Sequence, residues 1–152
     1  MNGFNGKKFT VNKVFIDSNI WIYAFITLDN QTKRNTCIQL LENLYQEKVI
    51  VVSTQVITEV HWNLIKKYGI RDEDAKLKIE AGILEISILS VTGKSTYDYA
   101  FNLRQQQNIS FWDSLIVAAA LENNCSILYT EDLQHNQLIE NRVKIINPFK
   151  DF

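Results

Sequence analysis

The sequence of 152 residues contains few of the residues that mark specialised protein classes: two cysteines, one proline and five glycines. Cys37 and Cys125 lie far apart in apolar surroundings, which argues against a zinc or redox pair and indicates two small core residues in a reducing cytoplasm. No repeat, low-complexity tract or Pro/Gly-rich linker divides the chain. At this length we therefore expect a single domain over residues 1–152 with a substantial buried core.

Two further absences concern membranes and charge. No segment approaches the length of a membrane span, and residues 1–12 form a polar extension without an apolar stretch that could serve as a signal sequence. We therefore expect a cytoplasmic protein with no membrane contact. The formal net charge is −1, so nucleic-acid binding would depend on a local positive patch. Candidates for that patch, which are more often plain solvated surface, are Lys33, Arg34, Lys66, Lys67, Arg71 and Arg104.

What the chain does contain is an alternation of strand and helix patterns. Apolar, β-branched runs predict strands at 14–16, 49–52, 85–91, 126–129 and 143–146. Helical patterns lie at 20–25, 33–46, 55–68, 72–83, 95–106 and 110–122. Gly69 is placed to cap the third of these helices in a left-handed conformation. This alternation predicts an α/β fold, a three-layer α/β/α sandwich with a central, mostly parallel sheet.

Acidic residues stand where such a sheet would gather them. Asp17 directly follows the first strand and opens a helix, and in open α/β sheets ligands bind at the carboxyl ends of the strands. Asp132 follows the strand at 126–129, and of the adjacent acids Glu131 and Asp132 we expect one to face Asp17. Taken alone, Asp17 is more typical of a helix cap, and Thr130 with the acid two positions on is equally typical of a turn.

Two more acids open helices that cover the same edge. Glu59 falls at the flank of the apolar stripe of its helix, where a half-exposed surface residue is an equally good interpretation. Ser110 and Asp113 have the spacing of a capping box. The helix beyond Asp113 is almost wholly apolar, so its first turn is held against the sheet and the carboxylate is kept near the edge.

The four acids together indicate a metal site. Gathering several carboxylates without compensation costs several kcal/mol in repulsion and desolvation, and a divalent cation is the simplest compensation. Oxygen ligands select hard ions such as Mg²⁺ or Mn²⁺, while the lack of a Cys/His cluster argues against zinc. Such a site activates a water molecule for in-line displacement at phosphorus. The implied chemistry is phosphodiester hydrolysis.

In this order, the motifs resemble the PIN domain family. The matching stretches are Phe15 to Asn19, Glu59 early in the helix after the second strand, Ser110 to Ser114 opening an apolar helix, and Leu128 to Asp132. The resemblance extends from Val14 to Pro148, and the series of four acids is more specific than any of its parts. Within the family, the chain most resembles the VapC-like toxins of bacterial toxin–antitoxin pairs.

The resemblance implies roles for individual residues. The core metal-binding and catalytic acids would be Asp17, Glu59 and Asp113, with Asp132 as the fourth. The polar residues that hold acids and waters in such sites would be Asn19 and Thr130. The resemblance further implies a Mg²⁺- or Mn²⁺-dependent endoribonuclease that blocks translation by cutting RNA, is silenced by a cognate antitoxin protein, and forms a homodimer.

The chain departs from the commonest family pattern after Asp132. There residues 133–137 read Leu-Gln-His-Asn-Gln in place of an Asp-Phe pair, so the RNA target of the best-known toxins is not carried over. Two other function classes remain open. One is a PIN-fold module that binds RNA or protein without turnover. The other is a small-molecule phosphohydrolase of the haloacid dehalogenase type, which needs a second Asp at the position that Asn19 occupies here.

Two tryptophans raise the question of base stacking. Trp62 and Trp112 are of the residue type that forms stacking platforms for nucleic-acid bases. Each lies in a helix with a strongly apolar pattern, however, and we expect both to pack in the core.

Overall fold

The computed structural model describes residues 12–27 and 30–150. The strands in these ranges are β1 (Lys13–Ile16), β2 (Val49–Ser53), β3 (Ser87–Ser90), β4 (Ile127–Tyr129), β5 (Leu138–Ile139) and β6 (Val143–Ile146). They form one sheet in the order β3-β2-β1-β4-β6-β5. Neighbouring strands are parallel except β5, which is antiparallel to β6. The prediction of a mostly parallel sheet is confirmed.

The helices in the same ranges are α1 (Ser18–Phe25), α2 (Gln31–Glu47), α3 (Thr54–Lys66), α4 (Asp72–Ile79), α5 (Lys94–Gln106) and α6 (Phe111–Glu122). Side chains cap several N-termini, as for Asn30 at α2 and Ser53 at α3, each of which accepts a backbone N–H of the first turn. The predicted N-terminal extension, apart from Asn12, lies outside the described residues. Among the described helices, none has the length and apolarity needed to cross a membrane.

The path of the chain across the sheet explains where the helices lie. From β1 the chain moves outward to β2 and β3, and it then returns to β4 on the opposite side of β1. Because crossovers between parallel strands are right-handed, the two directions of travel put α1 to α4 on one face and α5 and α6 on the other. Packing agrees, since α1 contacts α2 and α3, α3 contacts α4, and α5 contacts α6. The arrangement is the predicted three-layer sandwich.

The core lies between the sheet and these two helical layers. Val14 to Ile16 on the central strand are fully buried, and α6 is buried from Ser114 to Leu121. Burying one large apolar side chain stabilises the fold by roughly 1.5–3 kcal/mol. Cys37 and Cys125 are buried free thiols, and burial raises the pKa of each to about 12. Both cysteines are therefore unreactive packing residues, as expected.

Two glycines occupy positions that other residues would strain. Gly69 follows α3 with φ at +65°, the left-handed cap that the sequence predicts. Gly82 lies in a π-helical turn, Glu80–Leu84, that continues α4. A Cβ atom at Gly82 would come within 2.7 Å of the Phe25 ring, so the absence of a side chain lets α1 and the end of α4 approach each other.

The sequence pattern did not predict β5. This strand joins β6 through a tight turn in which Glu140 and Asn141 both have positive φ, 52° and 54°. The Arg142 N–H donates to the Ile139 carbonyl at 3.0 Å, and Ile139 pairs with Val143, so three residues, 140–142, connect the two strands. The turn lacks the Asn-Gly or Asp-Gly pair that usually signals such a hairpin.

Candidate active site

The candidate site lies where the strand order reverses, between β1 and β4. In open α/β sheets this switch point is the usual place for ligands. The two strands pair with Ile16 opposite Tyr129, and the Asp17 N–H donates to the Tyr129 carbonyl at 3.0 Å. The next residues along the two strands, Asp17 and Thr130, are therefore neighbours at the carboxyl edge of the sheet.

Asp17 is buried, with 4% of its surface exposed. Its Oδ1 accepts the Ser18 N–H at 2.7 Å, which caps α1, and its Oδ2 accepts the Thr130 hydroxyl at 2.8 Å. Desolvation raises the pKa of Asp17 to about 7; the two hydrogen bonds lower it, and the charges of Glu59 and Asp132 raise it further. A cation would relieve both the desolvation and the repulsion. The cap of α1 and the acid at the carboxyl edge of the sheet are thus the same residue.

Glu59 reaches the same place from the second turn of α3. Its Oε2 accepts the Ser18 hydroxyl at 2.7 Å, and that hydroxyl oxygen is also 3.4 Å from Oδ1 of Asp17. Its Oε1 accepts the Gln55 side-chain amide at 2.9 Å. The half-buried Glu59 carboxylate is therefore oriented from two sides and lies one hydroxyl group away from Asp17.

Asp132 is held beside Asp17 through polar neighbours. Its Oδ2 accepts the Asn19 amide at 2.9 Å, and its N–H donates to the Thr130 hydroxyl oxygen at 3.1 Å. Partial desolvation raises the pKa of Asp132, the Asn19 hydrogen bond opposes this, and the charges of Asp113 and Glu131 raise the pKa further. The charges of Asp113 and Glu131 thus act on the exposed Asp132 carboxylate, whose own charge raises the pKa of Asp17.

Glu131 is directed into a different cluster. Its carboxylate accepts hydrogen bonds from Lys33 Nζ at 2.8 Å and from the Tyr23 hydroxyl at 2.5 Å. Lys33 Nζ also lies 4.7 Å from the ring centroids of Tyr23 and Phe149. Of the two adjacent acids, the structure therefore places Asp132 beside Asp17 and engages Glu131 with a cation.

Asp113 approaches from the other helical layer. It is the third residue of α6, and its N–H donates to the Ser110 hydroxyl at 3.1 Å, the first half of the predicted capping box. Its half-exposed carboxylate accepts no hydrogen bond from another residue in the described ranges. Asp113 and Asp132 both line one cavity of about 460 Å³, together with Gln134 and Gln137 from the segment that departs from the family pattern.

Within the described ranges, no three His, Cys, Asp or Glu side chains lie close enough together to hold a metal ion. The Ser18 hydroxyl between Asp17 and Glu59 is one reason. Two observations nevertheless fit a hard divalent cation. The acidic donors are all oxygens, which such ions prefer, and Oδ1 of Asn19 is buried without a hydrogen-bond partner. An unpaired buried carbonyl oxygen among carboxylates is suited to an ion or its water shell.

Sequence reasoning missed two residues of this arrangement. Ser18 connects Asp17 with Glu59, and nothing beyond its place at a helix start signalled that role. Gln55 donates both to Glu59 and to the Trp112 carbonyl, at 2.9 and 3.3 Å. Its position four residues before Glu59 on the same helix was a usable signal, because side chains at that spacing meet.

The predicted positive residues are used in different ways. Lys33 pairs with Glu131, and Arg71 pairs with Asp74 at 3.0 Å. Lys67 lines a cavity of about 190 Å³ that also contains Ser18 and Asn19. Lys67 therefore shares a cavity with two residues whose side chains hydrogen-bond to the candidate acids.

The expected core packing of the two tryptophans is wrong. Trp62 is 62% exposed and Trp112 is 65% exposed. Trp62 lines a groove of about 640 Å³ between α3 and α4. Trp112 lines a separate cavity of about 290 Å³ that contains Glu59. The apolar helices that carry both rings bury other faces, and the rings point to solvent.

Comparison with protein families matches the PIN domain over residues 14–140. The chain therefore belongs to the PIN domain family, and the family resemblance of its motifs is confirmed. Comparison with curated proteins found no significant match.

Solved structures with this fold include VapC toxins and their complexes. A chain of the Rickettsia felis VapBC2 complex bound to promoter DNA is 19% identical, with a TM-score of 0.66, covering 89% of this chain and 99% of that one. A chain of a toxin–antitoxin complex from Klebsiella pneumoniae is 20% identical, with a TM-score of 0.67, and the match covers 90% of this chain and 98% of that one. Mycobacterium tuberculosis VapC20, a toxin that cleaves the sarcin–ricin loop, is 17% identical, with a TM-score of 0.59. The match covers 78% of this chain and 91% of VapC20. At these identities the similarity shows a common fold.

Proposed function

We propose that this protein is a metal-dependent endoribonuclease and the toxin of a bacterial type II toxin–antitoxin pair. The observation that carries the proposal is the linkage of acids through shared hydroxyl groups at the switch point of a PIN fold. The Ser18 hydroxyl lies between Asp17 and Glu59, and the Thr130 hydroxyl lies between Asp17 and the Asp132 N–H. Asp113 lines a cavity together with Asp132. The toxin role is supported by the similarity to VapC toxins, one of which is described as a toxin that cleaves the sarcin–ricin loop.

The proposed ion is Mg²⁺ or Mn²⁺, which when bound would lower the pKa of a coordinated water and stabilise charge on the phosphate. The residues proposed to hold it are Asp17, Glu59 and Asp113, with Asp132 completing the site. Thr130 and Ser18 orient the carboxylates of Asp17 and Glu59 by hydrogen bonds. The Asn19 amide orients Asp132, and its buried carbonyl oxygen has no hydrogen-bond partner.

One observation favours a second candidate, a PIN-fold module that binds RNA or protein without turnover. In the described part of the chain, no three acids are close enough to form a ready metal site. The phosphohydrolase alternative gains no support, because the chain belongs to the PIN family and Asn19 donates to Asp132 at the position that would need an acid.

The proposal includes partners and a compartment. The substrate is RNA, the inhibitor is a cognate antitoxin protein, and the active assembly is a homodimer. The toxin–antitoxin complexes among the solved structures with this fold support the antitoxin partner. Two buried free thiols fit a reducing cytoplasm. Light scattering of the purified protein at several concentrations tests the dimer, and a monomer throughout would reject it.

The nuclease is tested by cleavage of a mixed-sequence single-stranded RNA in Mn²⁺, in Mg²⁺ and in EDTA. We expect wild type to cut only with metal, and Asp17→Asn or Asp113→Asn to lower the rate by about 100-fold or more, as loss of a charged catalytic group does. Asp74→Asn is the matched control, because it makes the same change at an exposed acid paired with Arg71. We expect it to cleave like wild type.

Metal binding has an independent measurement, the melting temperature with and without Mn²⁺. An ion that binds the folded state stabilises it, so we expect a rise in wild type and in Asp74→Asn and no rise in Asp17→Asn. Full cleavage by Asp17→Asn would reject the assignment of the site. RNA binding by a folded wild type that neither cuts nor responds to Mn²⁺ would establish the binding module instead.

A further inference from the structure

An exposed aromatic surface lies beside the acids, on α5 and the first turn of α6. We call it the aromatic wall, and it consists of Tyr97, Phe101, Phe111 and Trp112. Phe111 stacks with Tyr97 at a centroid distance of 6.3 Å and with Phe101 at 5.7 Å, and Trp112 meets it edge-on at 6.2 Å. Tyr97, Phe101 and Trp112 are 42%, 53% and 65% exposed. A contiguous apolar surface of this kind marks an interaction site.

The aromatic wall is continuous with the candidate active site. Tyr97 and Trp112 line the cavity of about 290 Å³ that also contains Glu59. The Gln55 side-chain amide donates hydrogen bonds to both the Glu59 carboxylate and the Trp112 backbone carbonyl. Trp112 also directly precedes Asp113 in the chain. A ligand held at these acids would therefore extend onto the rings of Trp112 and Tyr97.

We propose that the aromatic wall binds unpaired bases of the RNA whose phosphodiester lies at the acids. This inference rests on the proposed function and adds how the substrate is held. Bases of any sequence stack on aromatic side chains, which binds single strands without requiring a particular base. The Trp112 indole N–H and the Tyr97 hydroxyl form no hydrogen bond with other described residues, so both are available to base edges.

The charges along α5 favour a nucleic acid over an apolar protein partner. Arg104 follows Phe101 by three residues, which puts it on the same face of the helix. It is exposed and forms no ion pair with a residue in the described ranges. Asp98, the acid on this helix, is paired with Lys94 at 3.5 Å. The wall thus ends at an available guanidinium, the group that contacts RNA phosphates.

The test compares Trp112→Ala with Trp62→Ala, because the two indoles are equally exposed but only Trp112 shares a cavity with Glu59. Both changes are made in the Asp113→Asn background with Mg²⁺ present, which keeps the RNA intact. Fluorescence anisotropy measures the dissociation constant of a mixed-sequence single-stranded RNA octamer and of an abasic octamer. We expect Trp112→Ala to weaken octamer binding about tenfold, and Trp62→Ala to leave it unchanged.

Two further measurements complete the test. We expect the abasic octamer to bind weakly and with no dependence on Trp112, and Trp112→Phe to recover most of the octamer affinity because it retains a ring. Equal octamer binding by Trp112→Ala and Trp62→Ala would overturn the proposal. A loss of self-association in Trp112→Ala with unchanged RNA binding would do the same and would assign the wall to a protein interface.

The outcomes separate this inference from the nuclease itself. Base-dependent binding that requires Trp112, in a protein whose wild type never cuts RNA, supports the aromatic wall and rejects the nuclease. Metal-dependent cleavage whose KM is the same in Trp112→Ala and in wild type supports the nuclease and rejects the wall.

Discussion

The two halves of the candidate site are built on different physical foundations. Asp17 follows a central strand, is buried, and accepts hydrogen bonds on both carboxylate oxygens. Asp113 lies in the first turn of a helix and is half-exposed. Its backbone N–H donates a hydrogen bond to the Ser110 hydroxyl. The strand half fixes its carboxylate in place at the expense of solvation, and the helix half leaves its carboxylate open to solvent.

The largest expected difference between the two halves is that Asp17, in the strand half, makes the free energy of unfolding depend on pH. The measurement is made in EDTA, so that no metal ion is bound. The Asp17 pKa is raised from 3.8 to about 7 by burial and by the charges of Glu59 and Asp132. Between these values the folded protein binds a proton that the unfolded chain does not, so this contribution to stability is complete below pH 3.8 and is lost as pH rises through 7. The loss is up to about 4 kcal/mol.

Urea unfolding of wild type and of Asp17→Asn at a series of pH values measures this loss. Acids that do not interact with Asp17 cancel in the difference. We expect wild type to lose stability relative to the variant as pH increases to 7, with no further change above it. A difference that stays constant over this range would contradict the desolvation of Asp17.

The next effect concerns the neighbouring acids of the strand half, and it depends on the proposed nuclease. Asp132→Asn should lower RNA cleavage about 10- to 100-fold, the usual consequence of losing a group that supports a metal site. Glu131→Gln is its matched control, because Glu131 is engaged by Lys33 and Tyr23, and we expect cleavage close to wild type. The reverse order of the two rates would exchange the roles of these acids.

Thr130→Val removes a hydrogen bond from the buried half while keeping the shape of the side chain. Oδ2 of Asp17 loses its donor, and the Asp132 N–H loses its acceptor. Leaving buried polar groups unpaired costs about 1–3 kcal/mol, so we expect unfolding at correspondingly lower urea. Stability equal to that of wild type would show that the Thr130 bond does not hold the Asp17 carboxylate.

Ser110→Ala makes the equivalent change in the open half and has the smallest effect. The variant loses the N-cap of α6, which costs about 1 kcal/mol. Since Ser110 is exposed, water replaces the lost acceptor, and the free energy of unfolding should fall less than in Thr130→Val. A larger loss than in Thr130→Val would mean that the open half depends more strongly on its hydroxyl group than the buried half does.

Most of the fold was predictable because its elements follow simple periodicities. Buried parallel strands appear as short apolar runs, and the alternation with helices determines the layers once right-handed crossovers are assumed. The strand β5 was not predictable in this way, since it has two residues and turns through Glu140 and Asn141 rather than through glycine. The tryptophans were placed wrongly because an apolar helix pattern does not show which face its neighbours leave uncovered.

By itself, the sequence determined which edge of the sheet carries the acidic residues. Carboxylates that follow strands or open helices of a parallel sheet meet at one end, whatever the details of packing. Tertiary structure decided which neighbour takes which role. Glu131 forms an ion pair with Lys33, 98 positions away in the chain. Asp132 instead accepts a hydrogen bond from Asn19. Trp112, but not Trp62, lines a cavity with Glu59. Such choices depend on contacts between distant segments, which no local pattern records.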